Sequence, residues 1–435
     1  MIKQNTMDFV SVQQALDKGK GKTRIRGWVY RERKSNQFIF LVIRDSSNII
    51  QCVINKDKIS EKIWNDANKI LIETSLEIEG EVKKDDRAIT GYEIQVSNLQ
   101  VYHYAEPFPI TKDQSPEFLL DKRHLWIRSR NLTAVMKVRS TVMKAFRDFF
   151  YKLNYYEMAP PIFTPLASEG GATLFEVKYF GDKVYLTQSW QLYAEAAIFA
   201  LERIFCISPC FRAEKSKTSR HLAEFWMAEM EAAWIKLDDL IKIAEECVSY
   251  VVQTVVKENK KELELLGQDI EKLKKIKTPF PKLTYTEVIE MLAKDGIKIP
   301  WGKDIRTIEE DAIMKHFDKP LIVTHFPKEI MAFYKPRDPT NPKVALCFDM
   351  LAPEGYGEII GGSERDINIE ELKKSLKEQG ENIKNYEWYL DTRKYGSVPH
   401  SGFGLGIERV VSWLCKLDNI KDAIPFPRTM LRKYP

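Results

Sequence analysis

The chain has 435 residues, of which 44% are hydrophobic and 30% are charged, and its 67 lysines and arginines exceed its 62 aspartates and glutamates by five. This length predicts two domains, and this composition suits a soluble globular protein with a substantial core. The small positive excess permits nucleic-acid binding through a local patch but does not demand it.

The six cysteines are scattered, and Cys206 and Cys210 are the only close pair. No second pair or nearby histidine completes a zinc site, so we expect reduced thiols that serve as small apolar side chains. The N-terminal sequence lacks the apolar core of a signal peptide, and no apolar run approaches membrane-spanning length. Both features predict a cytoplasmic protein without a membrane segment.

Residues 22–56 predict successive β-strands, because apolar and polar residues alternate in FIFLVIRD and the turn SSN separates it from IIQCVIN. SLEIEGEVKKD and YEIQVSNLQVYH predict further strands, and KISEKIWNDANKIL predicts a helix. About five short strands over residues 1–104 predict a small Greek-key barrel of the OB type. Residues 105–128 contain three prolines and little periodicity, so we expect a linker there.

Residues 129–435 predict an α+β domain around a mostly antiparallel sheet flanked by helices, because strands such as VALCFDMLA are interspersed with helices without a βαβ rhythm. Residues 131–153 have apolar residues at helical spacing and predict a long amphipathic helix. That helix cannot continue into MAPPIFTP, because Pro160 and Pro161 remove donors. KENKKELELLGQDIEKLKKIK and IEELKKSLKEQGENIKNYEWYLDTRKYG predict charged helices, most simply solvated outer faces.

FRAEKSKTSRHLAEF, residues 211–225, places a charged turn between two strand-like stretches. Arg212 and Glu214 are two apart in a strand, so both side chains point to one face, where they can hold a phosphate and also meet a base or an amine. The turn carries further basic side chains, namely Lys215, Lys217, Arg220 and His221. This pattern is typical of polyanion binding, although taken alone it also fits a solvated hairpin held by salt bridges.

Two glycine-rich stretches accompany the hairpin. SGFGLGIERVV has glycines at alternate positions up to Gly406, which let a backbone approach a flat or charged ligand, and Arg409 lies one turn into the helix that follows. The chain has no GxxxxGK[ST] sequence, so this is not a P-loop. In GYGEIIGGSER, Glu358 stands near a tight bend and is a candidate Mg²⁺ ligand, and Arg365 is a candidate for binding a carboxylate.

Together these stretches resemble a class II aminoacyl-tRNA synthetase of the aspartyl/asparaginyl subgroup. FRAE…SRHLAEF resembles the second motif of that family, GFGLGIERVV resembles the third, and MAPPIFTP, with Pro161, resembles the first. GWVYRERKSNQFIFLVIRD resembles the anticodon-binding barrel of the subgroup. The resemblance covers nearly the whole chain, preserves the order of the motifs and implies a homodimer built around the first motif.

The resemblance also implies a site, residue by residue. Arg212 would bind the α-phosphate of ATP and the amino-acid carboxylate, Glu358 would hold Mg²⁺, and Arg409 would cover the triphosphate; these three form the catalytic set. ATP would be bound by Arg212, Glu214, Arg220, His221, Leu222, Phe225, Glu358, Gly406, Ile407, Glu408 and Arg409. The amino acid would be bound by Glu169, Gln191, Glu195, Arg212 and Arg365. Catalysis in this family needs no protein nucleophile and rests on positioning and on neutralising phosphate charge.

Charge at the side-chain pocket separates aspartate from asparagine. The aspartyl branch has a lysine after the tyrosine of QLY, where this chain has Ala194. Without that cation, Arg365 and Glu195 make a nearly neutral pocket that suits an amide. The resemblance therefore implies ATP-dependent ligation of L-asparagine to tRNA(Asn) through an asparaginyl-adenylate. The aspartyl branch of archaeal type often has a second metal contact at the position of Gly361, so the number of Mg²⁺ ions stays open.

Two alternatives to this function stay open. One is a non-discriminating aspartyl-tRNA synthetase, against which Ala194 counts. The other is a tRNA-independent, ammonia-dependent asparagine synthetase built on the same catalytic fold, which would have no use for an anticodon-binding barrel.

The barrel is the expected surface for the tRNA anticodon. Phe40 matches the family's base-stacking aromatic residue, and Gln51 matches its reader of the central anticodon uridine. Arg26 and Arg33 are expected to contact phosphates. Trp28 is expected in the barrel core, and the strand pattern alone would also fit Phe40 there.

Overall fold

The structure, a computed structural model, describes residues 8–168, 173–215 and 220–435. The chain divides into two units, Met1–Lys122 and Arg123–Pro435. The division falls inside the stretch for which a linker is predicted, residues 105–128. Among the described residues, no helix combines the length and the apolar character needed to cross a bilayer.

The first unit is a closed barrel with accompanying helices. Its elements are α1 (Val12–Lys18), β1 (Gly21–Lys34), β2 (Phe38–Arg44), β3 (Ile49–Asn55), α2 (Glu61–Asn68), β4 (Ser75–Lys84), β5 (Tyr92–His103) and α3 (Pro116–Asp121). The barrel has the strand order β1-β2-β3-β5-β4, and its neighbouring strands are antiparallel except β3 and β5. This arrangement confirms the predicted OB-type barrel.

The barrel closes around alternating apolar residues of all five strands. On β1, Ile25 and Val29 point inwards and are fully buried, and Gly27 between them is also buried, whereas Arg26 and Trp28 are exposed. Gly27 lies where β1 meets the end of β2, and a Cβ atom there would collide with the carbonyl oxygen of Arg44. Close packing of the two strands therefore requires glycine at this position.

The second unit is larger. Its elements are α4 (Arg123–Trp126), α5 (Arg130–Lys152), β6 (Tyr156–Glu157), β7 (Phe163–Thr164), β8 (Glu176–Tyr179), β9 (Asp182–Leu186), α6 (Gln191–Leu201), β10 (Arg203–Phe211), β11 (Glu224–Ala233), α7 (Leu237–Glu258), α8 (Lys260–Leu265), α9 (Ile270–Lys274), β12 (Lys282–Thr284), α10 (Tyr285–Lys294), α11 (Thr307–Ile313), β13 (Leu321–Thr324), β14 (Cys347–Ala352), β15 (Gly357–Glu364), α12 (Ile369–Glu378), α13 (Glu387–Lys394), β16 (His400–Gly406) and α14 (Ile407–Cys415).

An eight-stranded sheet in the order β12-β13-β14-β15-β16-β11-β10-β6 forms the centre of this unit. Its neighbouring strands are antiparallel except at the two edges, where β12–β13 and β10–β6 are parallel. Strands β7, β9 and β8 form a separate small sheet. The predicted α+β class with a mostly antiparallel sheet is confirmed.

Helix α5 packs on the core because its apolar residues recur at helical spacing. Ser129 caps the helix, its side chain accepting from the backbone N–H of Leu132. The Phe150 ring has no exposed surface, and its centroid lies 5.0 Å from that of Tyr155 and 5.5 Å from that of Phe205 on β10. Helix α5, which precedes the first family motif, is therefore packed against the central sheet.

The segment 369–394 differs from the solvated outer face that its charge predicts. Leu372, Leu376 and Tyr389 have no exposed surface, and Arg393 is also buried. The charged residues outnumber the apolar ones in this sequence, but the apolar ones recur at helical spacing and form a single buried stripe. The prediction was wrong for one face of α12 and α13.

Replacing Phe150 with alanine should lower the free energy of unfolding by about 3–5 kcal/mol, because it leaves a cavity among packed aromatic rings. Chemical denaturation followed by tryptophan fluorescence would measure the change. Tyr395→Ala, at a side chain that is 76% exposed, is the control and should change stability by less than about 0.5 kcal/mol. Equal stability losses in the two variants would contradict this account of the core.

Candidate functional site

Strand β11 contributes to a cavity and to a buried cluster of polar residues, because its alternate residues share one face. One face, with Ala228, Met230 and Ala232, is buried in the hydrophobic core. The opposite face carries Phe225, Met227, Glu229 and Glu231 in order along the strand. Phe225 and Met227 line a cavity, and the two glutamates follow them along the same face.

Alternate glycines of β16 make room for these side chains. Gly402 is the register partner of Glu231, and Gly404 is the partner of Glu229. A Cβ atom at position 402 would collide with the carboxylate of Glu231, and one at position 404 would lie 2.6 Å from the terminal methyl of Met227. These glycines therefore admit the protein's own side chains, a role that the sequence did not reveal.

The cavity brings together ten of the eleven residues predicted to bind ATP. They are Arg212, Glu214, Arg220, His221, Leu222, Phe225, Glu358, Gly406, Glu408 and Arg409, and Met227, Ile359, Gly404 and Ile420 complete the lining. Ile407, the eleventh, is fully buried in the hydrophobic core and is not part of the lining. The roles of these residues in binding remain predictions.

Two arginines from distant segments meet at this cavity. The guanidinium carbon of Arg212 lies 5.4 Å from the centroid of the Phe225 ring. Nη1 of Arg409 donates to the carbonyl oxygen of Glu358 at 2.6 Å and lies 3.3 Å from its carboxylate Oε2. Two guanidinium groups and an aromatic face on one cavity form an arrangement suited to a phosphorylated, flat ligand.

Arg220 is held at the rim of the cavity by acidic partners. Its Nη1 lies 3.3 Å from Oε2 of Glu310, its Nη2 lies 2.8 Å from Oδ1 of Asp311, and Nη2 also donates to the carbonyl oxygen of Gly355. Burial, and then the charge of Glu358, raises the pKa of Glu310 to about 7. Glu310 and Asp311 were not identified from the sequence.

His221 is a neutral member of the cavity. Burial lowers the pKa of His221, and the charge of Arg409 lowers it further, so the imidazole is uncharged at pH 7. Its Nε2 lies 3.7 Å from Oε2 of Glu214. The ring can therefore form hydrogen bonds in the cavity without adding charge.

Glu408 is buried, and its carboxylate is occupied by the protein. One oxygen accepts from the backbone N–H of Trp226 at 2.9 Å, and the other lies 2.7 Å from Nη1 of Arg139 on α5. Burial raises the pKa of Glu408, and the charge of Arg139 opposes that rise. This side chain joins α14 to β11 and α5. Its main role at the cavity is therefore to hold these elements in place.

Glu358 has an acidic neighbour, Asp349 on β14, that the sequence did not identify. Oε1 of Glu358 and Oδ1 of Asp349 lie 3.1 and 3.5 Å from the position that a Cβ atom would occupy at Gly361. Burial, and then the charge of Glu358, raises the pKa of Asp349 well above its ordinary value. Two carboxylates in this proximity favour a bound cation. An acidic residue inside the apolar run VALCFDMLA was the available signal.

A second cluster of polar residues surrounds Glu195, which is fully buried. One carboxylate oxygen accepts from Nε2 of Gln191 at 2.9 Å. The other accepts from the hydroxyl of Tyr389 at 2.8 Å and from the Arg393 guanidinium, and lies 3.1 Å from Nε2 of His400. Burial alone would raise the pKa of Glu195, but the charge of Arg393 and the other donors hold it well below its ordinary value.

These contacts change the interpretation of Glu195, which was predicted to bind the amino acid. Its oxygens are occupied by protein donors, so the carboxylate supports Gln191 and fixes the direction of its amide. Tyr389, Arg393 and His400 were missed. Tyr389 and Arg393 lie in a segment rich in charge, which gave no sign that one of its faces is buried, whereas His400 lies on β16.

Arg365 adjoins this cluster and pairs with Glu231. Its Nε and Nη2 donate to the two carboxylate oxygens of Glu231 at 3.0 and 2.8 Å, and its Nη1 donates to Oγ of Ser363 at 2.9 Å. The guanidinium also lies 5.3 Å from the centroid of the Tyr334 ring. Glu231, two residues after Glu229, was missed although their spacing places both on one strand face.

Ala194 has no exposed surface and packs in an apolar cluster with Trp190, Ile198 and Cys206. This helix position follows Gln191 by one turn and directly precedes Glu195. A lysine here would bring a charge into an apolar environment beside Glu195 and Arg365. The small apolar side chain therefore leaves the charge of the neighbouring cluster unchanged.

The outer face of the barrel carries two rows of polar and apolar side chains across β1, β2, β3 and β5. Their members, from the strand registers, are Arg33, Phe40, Val53 and Gln95 in one row and Arg31, Val42, Gln51 and Glu93 in the other. Nε2 of Gln51 donates to Glu93 Oε2 at 2.9 Å, and Nε2 of Gln95 donates to Glu93 Oε1 at 2.5 Å. Phe40 is half-buried and lies on this outer face, because its neighbours Ile39 and Leu41 are the residues that fill the barrel core.

The expectation that Trp28 lies in the core is wrong. Its side chain is 45% exposed, and the Arg44 guanidinium lies 5.4 Å from its ring centroid. Arg26 is exposed on the same strand, 5.0 Å from the ring centroid of Phe9. The alternation of β1 places both residues outside because Ile25, Gly27 and Val29 take the inner positions.

Two residues of the predicted site, Glu169 and Lys217, lie outside the described residues.

Comparison with protein families matches nearly the whole chain. A family model described as tRNA synthetases class II (D, K and N) matches residues 115–430, and a model described as OB-fold nucleic acid binding domain matches residues 23–102.

Individual relatives match over almost their full lengths. The asparagine–tRNA ligase of Thermococcus kodakarensis is 51% identical over 415 residues, and that of Thermoplasma acidophilum is 49% identical over 414; each match covers 95% of this chain and 96% of the relative. Among solved structures, asparaginyl-tRNA synthetase from Pyrococcus horikoshii complexed with asparaginyl-adenylate superposes with a TM-score of 0.95 at 47% identity, covering 99% of this chain and 100% of that one.

Proposed function

The chain belongs to the class II tRNA synthetases for aspartate, lysine and asparagine, and we propose that it ligates L-asparagine to tRNA(Asn) through an asparaginyl-adenylate. The observation that carries this function is the match, over nearly the whole chain, to asparagine–tRNA ligases. Protein synthesis uses the product, so the proposed location is the cytoplasm.

The charge balance of the second cluster supports asparagine as the amino acid. Two buried carboxylates, Glu195 and Glu231, face two buried guanidinium groups, Arg365 and Arg393, so the formal charges of these four groups cancel. The side chain of aspartate would add an unbalanced negative charge, whereas an amide adds none and can both donate and accept.

In the proposed reaction the amino-acid carboxylate attacks the α-phosphorus of ATP and pyrophosphate leaves. A ribose hydroxyl at the end of the tRNA then attacks the adenylate carbonyl, and AMP leaves. Arg212 binds the α-phosphate, Phe225 stacks on adenine, and Arg409 with neutral His221 contacts the terminal phosphates. Gln191, oriented by Glu195, turns its amide oxygen towards the substrate ammonium.

Mg²⁺ is the proposed cofactor, bound with ATP. The carboxylates of Glu358 and Asp349 suit it, because Mg²⁺ takes few protein carboxylates together with phosphate oxygens. Within residues 8–168, 173–215 and 220–435 no group of three metal-binding side chains forms, which agrees with an ion that depends on the nucleotide for its other ligands. When bound, Mg²⁺ would neutralise phosphate charge.

ATP–pyrophosphate exchange tests the amino-acid specificity. The wild type should exchange with asparagine at least about a hundredfold more efficiently, in kcat/KM, than with aspartate, because aspartate leaves a charge unpaired in the pocket. Glu231→Gln removes one carboxylate charge from the pocket. This variant should lower the ratio of kcat/KM for asparagine to kcat/KM for aspartate. Equal exchange with both amino acids would indicate the non-discriminating aspartyl-tRNA synthetase. Production of asparagine from aspartate and ammonia without tRNA would indicate the ammonia-dependent asparagine synthetase.

For the tRNA, we propose that the outer barrel face reads the anticodon. Phe40 provides a stacking surface, and the amide of Gln51, fixed by Glu93, reads a base edge. Arg26 and Arg33 are exposed and can contact phosphates.

Phe40→Ala should raise the KM for tRNA roughly tenfold or more by removing a stacked base contact, and should leave asparagine-dependent pyrophosphate exchange unchanged because that step uses no tRNA. Ile89→Ala, at a residue 55% exposed in the turn between β4 and β5, is the control. An unchanged KM for tRNA in the Phe40 variant would remove this residue from the proposed reading surface.

We also propose a homodimer. An exposed aromatic patch lies on and beside the small sheet and consists of Phe163, Tyr179 and Phe180. The ring centroid of Tyr179 lies 5.9 Å from that of Phe163 and 4.9 Å from that of Phe180. Phe180 is 87% exposed, and Tyr156 is also exposed on the edge strand β6. Exposed aromatic groups and an uncovered edge strand are typical of an interface.

Tyr156→Asp combined with Phe180→Asp should shift the protein from dimer towards the 50.7 kDa monomer, because buried charge destabilises an interface. Sedimentation equilibrium would measure the mass. Tyr395→Asp, which places the same charge at another exposed tyrosine, should remain dimeric. A wild type of monomer mass would contradict the proposal.

A further inference from the structure

Two acidic residues of α11 border a cavity proposed to bind a polyanion. Glu310 and Asp311 each contact the guanidinium of Arg220, at 3.3 and 2.8 Å. Arg220 itself lines the ATP cavity together with His221 and Arg409. Acidic groups at such a position repel the phosphates of ATP, so their presence requires an explanation.

The backbone opposite α11 is shaped to admit this contact. Gly355 and Gly357 both have positive φ values, +82° and +69°. A Cβ atom at Gly357 would lie 3.1 Å from Nη1 of Arg220 and would collide with the Glu310 carboxylate, and one at Gly355 would lie 3.4 Å from Oδ1 of Asp311. The carbonyl oxygen of Gly355 is itself an acceptor for Nη2 of Arg220. Two side chains of α11 and a carbonyl oxygen of a glycine-rich turn thus fix one guanidinium.

Three acceptors on the two terminal nitrogens define both the position and the plane of the Arg220 guanidinium. A long arginine side chain otherwise loses considerable rotamer freedom when it binds a ligand. Prior fixation removes that cost from ATP binding, and this gain opposes the repulsion by the two carboxylates.

We propose that Glu310 and Asp311 are positioning residues for ATP, holding Arg220 at the cavity wall so that its guanidinium meets the terminal phosphates. The proposal rests on the proposed function, in which ATP is the nucleotide. Its effect is confined to the β- and γ-phosphates, because adenine and the α-phosphate are assigned to Phe225 and Arg212.

The sign of the effect distinguishes positioning from obstruction. If the acidic pair orients Arg220, its removal weakens ATP binding. If the pair instead holds Arg220 away from the phosphates, or only repels them, its removal strengthens ATP binding.

The experiment compares Glu310→Gln, Asp311→Asn and the double variant with the wild type by calorimetric titration with Mg²⁺–ATP and with AMP. The double variant should bind ATP roughly tenfold more weakly, since it loses both acidic contacts to the Arg220 guanidinium, and should bind AMP as the wild type does. Asp311, whose side chain is 44% exposed, provides a single variant with little risk to folding.

Glu354→Gln is the matched control. It removes the same charge near the same rim, but its carboxylate pairs with Lys272 at 2.6 Å instead of Arg220. It should leave the affinity for ATP within twofold of wild type. Unchanged or tighter ATP binding in the double variant, or an equal loss of AMP binding, would overturn the proposal.

Asparagine-dependent pyrophosphate exchange is measured in parallel, where the KM for ATP should rise and the KM for asparagine should not change. A wild type that binds ATP but shows no exchange would refute the proposed function alone, whereas normal exchange with unaltered ATP binding in the variants would refute the positioning role alone.

Discussion

The position of β11 between β10 and β16 is the constraint on which both the cavity and the buried polar cluster depend. Antiparallel pairing fixes which side chains lie next to each other, so Phe225, Met227, Glu229 and Glu231 form one continuous floor. The same pairing places the start of α14, and hence Arg409, beside the nucleotide cavity. A one-residue slip of β11 would turn these side chains into the core and expose the core residues instead, so the core and the site specify the same register.

The cluster around Glu195 shows how a buried charge is tolerated beside the proposed amino-acid site. Glu195 and Arg393 have no exposed side-chain surface, and an isolated charge in such surroundings would be very unfavourable. Here each charge has an opposite partner and its hydrogen-bonding groups are shared with Gln191, Tyr389 and His400. Rigid, compensated surroundings are what a site needs to separate two substrates that differ by an amide and a carboxylate.

Motif order and strand alternation predicted much of this molecule. The barrel and the antiparallel sheet follow from local patterns, because strand period and the position of glycines and prolines are encoded within short segments. The residues of the ATP cavity were named from the resemblance to the synthetase family, since the charged hairpin alone also fitted a solvated turn. The residues that were missed depend on contacts between distant segments. Asp349 approaches Glu358 only through the pairing of β14 with β15, and Arg393 reaches Glu195 across about two hundred residues of sequence. The prediction for Trp28 was wrong because its aromatic character suggested burial. Ile25 and Val29 point into the barrel, so the alternation of side chains along β1 places Trp28 on the outside.

The buried cluster also bears on how amino-acid preference can change during evolution. Glu195, Glu231, Arg365 and Arg393 come from four separate elements or loops, yet their charges neutralise one another. A single substitution that alters the charge of one member leaves its partner as an unpaired buried charge. Most single substitutions should therefore give a less stable intermediate protein. Divergence between related enzymes that use acidic and amide substrates should therefore proceed by linked replacements, with strong epistasis among positions that are remote in the gene.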